Sequence, residues 1–186
     1  DPSHLRFWEV FGSFWWSVGC LGMAHSFRTS RNTSVERPAI GRRSSECQID
    51  CVNMLIPGPA ESPVEHTPNL SPTDLPQSNE LLAGVSAYLE TTATEDPRSR
   101  FLSRVARNTI AIVRRELSLG FAAQNRELED LAKLGLEGDT LPKLRARLCD
   151  GIRREEIEMR SAPLQQYLRN SVLAQVLIDQ PDYPGA

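Results

Sequence analysis

Apolar positions recur at helical spacing through most of this chain, and the clearest run lies in the middle. Over Asp96–Gly120 (DPRSRFLSRVARNTIAIVRRELSLG), Leu102, Val105, Ala106, Thr109, Ile110, Val113 and Leu117 fall three and four apart, one face of an α-helix. Arg100, Arg104, Arg107 and Arg114 lie on the opposite face, and Phe101 and Ile112 widen the apolar stripe. Asp96 suits the N-cap, Pro97 the first helical position, and Gly120 a helix stop.

The same spacing predicts four more helices in residues 78–184. Leu81, Leu82, Val85, Tyr88 and Leu89 form a stripe behind Ser78. Leu128, Leu131 and Leu134 mark a helix over Ala122–Leu134, which Gly135 stops. Thr140–Arg154 carries Leu141, Leu144, Leu148 and Ile152; Ala162–Ile178 carries Leu164, Tyr167, Leu168, Val172, Val176 and Leu177. Short connections favour antiparallel packing, so the block is expected to be a five-helix bundle that folds when cut free. Tyr183, beyond the last helix, is expected to staple the chain end to the bundle. No strand is predicted.

Residues 1–57 read differently. LRFWEVFGSFWWSVGCLGMAHSF, from Leu5 to Phe27, is apolar on nearly every side, and one further helix is expected over Ser34–Leu55. Two helices cannot cover Phe7, Trp8, Phe11, Phe14, Trp15 and Trp16, so this block should pack on something else. Between the blocks, residues 58–77, with Pro57 just before them, hold Pro59, Pro63, Pro68, Pro72 and Pro76, a tether of extended backbone.

Composition narrows the function classes. Net charge is −3 with a pI near 5.7, which argues against a nucleic-acid binder. Val10–Ala24 is short of the roughly twenty apolar residues that span a bilayer, and its flank lacks a basic n-region, so no membrane segment is expected. Cys20, Cys47, Cys51 and Cys149 show neither a disulfide framework nor a second ligand pair at metal spacing, and His4, His25 and His66 are scattered. Free thiols suit the cytoplasm. The chain opens on Asp1, which reads as a fragment or an incomplete gene. No catalytic residue, cofactor or metal ligand is predicted.

The polar candidates lie on the central helix. Asn108 sits at the edge of the apolar stripe and Glu116 within it, where a carboxylate needs a cation from Arg145, Arg153 or Arg154. Asn108, Glu116 and Arg153 together define either a structural ion pair or a small polar pocket between helices.

Two resemblances add to these readings. The F-W-E-V-F-G run and the A-I-G-R-R-x-x-E-x-x-x-D pattern, Ala39 through Asp50, resemble the carboxy-terminal end of the aminoglycoside-phosphotransferase-like family, in the branch found with acyl-CoA dehydrogenases. That resemblance implies a two-helix remnant of a kinase-like lobe. The phosphate loop, lysine and aspartates of that family would lie upstream of Asp1, so none is carried over. NELLAGVSAYLE, RVARNTIAIVRREL, LPKLRARLCDGIR and VLAQVLIDQPDY resemble a bacterial all-helical family of unknown function encoded beside such phosphotransferases, which commonly has a lysine where this chain has Gln175. Together they imply an all-α accessory module whose partner is a phosphotransferase-like domain or subunit, with an acyl-CoA dehydrogenase as a second partner. The alternative is the tail of a full-length phosphotransferase. A scaffold holding an acyl-CoA on its arginine face is the third reading.

Overall fold

The computed structural model describes residues 2–29, 34–65, 77–91 and 96–186. It is all-helical there: α1 (Pro2–Thr29), α2 (Glu36–Arg42), α3 (Ser44–Leu55), α4 (Ser78–Thr91), α5 (Pro97–Ala132), α6 (Leu141–Arg153) and α7 (Ala162–Asp179), with no strand among the described residues. Pro68, Pro72, Pro76 and His66 lie outside the described residues.

The central helix is longer than its spacing suggested. α5 begins as expected, with the Asp96 carboxylate accepting from the Ser99 amide at 2.7 Å and Pro97 at the first position. It does not stop at Gly120, so the described residues of 78–184 hold four helices rather than five. Phe121-Ala122-Ala123-Gln124 continues the helix, and an interior glycine costs only about 1 kcal/mol relative to alanine. The real stop is Gly135, left-handed at φ +74°. The Leu136 amide reaches back to the Leu131 carbonyl (3.0 Å) and the Gly135 amide to that of Ala132 (2.9 Å), both bonds of a Schellman cap. Buried Leu136 packs in one cluster with Leu131, the hydrophobic contact such a cap carries. α6 ends the same way, with Glu155 at φ +60° and the Glu156 amide on the Gly151 carbonyl.

The main core joins the second half of α5 to α6 and α7 through Leu131, Leu136, Leu144, Leu148, Leu164 and Tyr167. Along the first half of α5, Ile112 is buried, while Val113 and Leu117 of the expected stripe are exposed. α4 packs on α5, yet Leu81, Val85 and Tyr88 face outward.

The amino-terminal helices are not set apart from the bundle. The expected helix over Ser34–Leu55 breaks at Arg43, whose amide turns back to the Ile40 carbonyl, giving α2 and α3. α3 lies on α7, where Ile49 shares a buried cluster with Val172 and Val176. The Tyr183 hydroxyl donates to Asp50 at 2.7 Å, so the chain end is stapled to α3. Part of the proline-rich stretch is also seated: the Pro59 carbonyl accepts from Gln166 and Arg169 of α7.

α1 meets α2 and α3 with a stripe of small side chains. Ser17 and Cys20 are buried, Ala24 is half-buried, and a Cβ on Gly41 would lie 2.7 Å from the Ala24 Cβ. Close approach of α1 and α2 therefore requires glycine at this position. The aromatic side chains of α1 lie off that stripe and stay exposed.

Candidate functional site

Once α5 is one rod, Glu116, Gly120, Ala123, Glu127 and Asp130 fall within roughly 40° of one direction, a polar and small stripe. It faces Tyr167, Asn170, Ala174 and Ile178 of α7 across a cleft of about 330 Å³.

Three polar centres line or border this cleft. In the first, Glu127 is gripped by both arms of Arg145 (2.7 and 2.6 Å) and accepts from the Tyr167 hydroxyl at 3.1 Å. Burial, then the Glu127 charge, pushes the Tyr167 hydroxyl well above its ordinary pKa, so it remains a donor. In the second, Asp130 is only 1% exposed. It accepts from Lys133 Nζ (2.6 Å) and Asn170 Nδ2 (2.7 Å), with Arg126 Nε at 3.7 Å. Asn170 Oδ1 in turn accepts from the Glu61 amide (2.9 Å) and Gln166 Nε2 (2.8 Å). In the third, buried Asp179 accepts from Arg42 Nε (2.5 Å) and Gln175 Nε2 (2.9 Å). Burial raises the Asp179 pKa, against the opposing pull of Gln175 and Arg42. Arg115 closes the end of α7 by donating to the Ile178 and Asp179 carbonyls.

Each of these three carboxylates thus has at least two donors, as desolvated charges need. Proton transfer or nucleophilic attack needs an uncommitted base beside a nucleophile. Here the acceptors are occupied by fixed cations and amides, an arrangement that locks the register of α5 against α7. Among the described residues no group of three or more His, Cys, Asp or Glu could hold a metal ion. No described helix is long and apolar enough to cross a membrane.

The residues predicted from sequence do not come together. Glu116 is on the cleft rim, its side chain 54% exposed, and pairs at 3.3 Å with Arg42 of α2 rather than with α6. Arg145 is committed to Glu127, and Arg153 pairs with Asp150 at 2.9 Å on the outer side of α6. Asn108 is about 80° round α5 from Glu116 and lines a second cleft, against α2. Sequence reasoning missed Asp130, Asn170 and Asp179 as buried groups and Glu127 as a half-buried one. The signal was the i, i+3/i+4 continuation of Glu116 through Gly120 to Asp130, visible only if Gly120 does not end the helix.

No curated protein and no solved structure matches the chain. Residues 93–183, a stretch that holds α5, α6 and α7 and ends at Tyr183, match the family described as Domain of unknown function (DUF6285), and to that family this part of the chain is similar.

Proposed function

We propose that this chain is a non-catalytic helical interaction module whose docking element is the aromatic face of α1. The observation that carries this reading is the exposure of Phe7, Trp8, Phe11, Phe14, Trp15 and Trp16, each between 45% and 64%. Phe7, Trp8, Phe11, Phe14 and Trp15 share a sector of about 120° on the helix, with Trp16 beyond it. Aromatic side chains bury roughly 200 Å² apiece, so half-exposure of these five leaves about 500 Å² of apolar surface. That is more than half of the ~800 Å² per partner of a stable interface and lies at the upper end of the roughly 300–600 Å² of the largest apolar patch on a typical monomer, a size often tied to function. Phe7 stacks on Phe11 and both meet Trp8 edge to face, with ring centroids 5.1 to 6.1 Å apart, which pre-forms part of the surface.

The partner in this reading is a phosphotransferase-like domain or subunit, by the resemblance of the F-W-E-V-F-G run to the end of that fold. The chain is then an accessory module in acyl-thioester chemistry, with an acyl-CoA dehydrogenase as second partner. Continuity with the phosphotransferase in one polypeptide is the alternative, and uses the same face.

The test mixes the chain with a purified aminoglycoside-phosphotransferase-like domain trimmed of its own last helices. A 1:1 complex by light scattering, a blue shift of tryptophan emission, and loss of both in Trp8→Ser/Trp15→Ser support the reading. No complex, or one indifferent to those substitutions, overturns it.

A further inference from the structure

The second cleft, about 320 Å³, lies between α2, the first half of α5 and the end of α7. Its floor is apolar: Ile40 from α2, and Val105 and Ile112 from α5. Its charged rim is largely self-neutralised. Arg42 is held by Asp179, Arg43 by Glu46 at 3.1 Å, and Glu36 by Arg98.

Three polar side chains on the wall are left over: Arg104, Asn108 and, at the end of α7, Gln180. Arg104 has no carboxylate partner among the described residues; its guanidinium sits over the Phe101 ring, 5.9 Å from the centroid. That ring shields one face of the cation and leaves its N–H edge free to donate. Asn108, one helical turn further along α5, is exposed and makes no side-chain hydrogen bond to the protein among the described residues, so its amide donors are available from solvent. One uncompensated positive charge, a neighbouring amide and an apolar floor define a ligand with one negative charge and an apolar tail. The volume lies at the small end of ligand sites, which run from about 300 to 1,000 Å³.

We propose that this cleft binds a small apolar monocarboxylate, its carboxylate on Arg104 and Asn108 and its tail on Ile40 and Ile112. An ion with two or more charges is disfavoured, because its second charge would face Glu36 and Glu46 with no cation to spare.

Titration calorimetry of the full chain with octanoate tests this. The expected result is one saturable site. 1-Octanol has the tail without the charge, and acetate the charge without the tail; each should bind about tenfold or more weaker. Arg104→Gln, on an exposed position that spares the fold, should weaken octanoate about tenfold and leave 1-octanol unchanged. Asn108→Leu should weaken octanoate less than Arg104→Gln does. Trp8→Ser/Trp15→Ser should change nothing, which separates this site from the face of α1. No saturation by octanoate, equal binding of 1-octanol, or indifference to Arg104→Gln overturns the proposal. So does inorganic phosphate binding as tightly as octanoate.

Discussion

Asn170→Ala removes the centre of the most buried polar cluster, and its cost can be worked out bond by bond. The side chain donates to the Asp130 carboxylate at 2.7 Å and accepts from the Glu61 amide and Gln166. A hydrogen bond to a charged group contributes about 1.5–3 kcal/mol and a neutral one about 1 kcal/mol. Gln166 keeps the Pro59 carbonyl as a second acceptor, and the exposed Glu61 can turn to water, so both neutral losses are partly recovered. Asp130, 1% exposed, has no such recourse on its Oδ2 side beyond Arg126 at 3.7 Å. The net expectation is about 3 kcal/mol, or roughly 6–12 °C in Tm for a protein of this size. Urea unfolding followed by circular dichroism measures it, with Arg153→Gln, on an exposed pair, as a control that should stay within about 0.5 kcal/mol. Asn170→Asp sharpens the test. It sets a second carboxylate against Asp130, so the folded state binds a proton more readily than the unfolded chain, and stability lost at neutral pH should return on acidification. A cost under about 1 kcal/mol for Asn170→Ala, with no acid recovery of Asn170→Asp, would mean that Asp130 is hydrated through the cleft and the cluster does not hold α5 to α7.

Four further outcomes follow from the packing. Glu127→Gln, which weakens the hold on Arg145 and Tyr167, should destabilise by about 2 kcal/mol, whereas Glu116→Gln, half in solvent, should cost under about 1 kcal/mol; chemical denaturation that reverses this order refutes the geometry. Ile49→Ala, in the cluster α3 shares with α7, should cost about 2–4 kcal/mol and lower the Tm of the bundle along with α1–α3 in one transition; two separate transitions would show the helices uncoupled. Glu155→Gly relieves a left-handed non-glycine residue at the end of α6 and should raise stability by up to about 1 kcal/mol; any loss in a thermal melt counts against the cap. Burial pushes the Cys47 thiol up to about 11, so at pH 8 it stays protonated, and iodoacetamide should label exposed Cys149 first by peptide mass mapping; Cys47 reacting as fast would contradict its burial.

How much of this was written in the sequence depends on the kind of signal. Helix type and the starts at Asp96, Ser78 and Ala162 were legible because caps and periodicity are local. Gly120 misled because a glycine is a stop only when the chain turns left-handed beyond it, and Gly135, fifteen residues on, makes that turn. Reading two helices for one hid the stripe from Glu116 to Asp130, so Glu127 and Asp130 were not among the polar candidates. The partner of Glu116 was not legible at all: Arg42 stands in α2, and no spacing rule links a residue to one in a different helix seventy-four positions away. In α1 the aromatics drew the eye, but the seated side is Ser17, Cys20 and Ala24, where small size admits a neighbouring backbone.

The unbroken run of α5 makes the molecule a matter of phase. Its 36 residues are a rod about 54 Å long, with Ile112 set against α2 and Asp130 against α7. Inserting one residue near Gly120 would rotate everything beyond it by about 100° and swing Glu127 and Asp130 away from Tyr167 and Asn170. Inserting a whole turn of four residues would change the angle by only about 40° but displace the far half by about 6 Å, a full spacing of one side chain from the next on a helix face. Loops can lengthen at little cost; this rod cannot change length by any number of residues without uncoupling one end of the protein from the other.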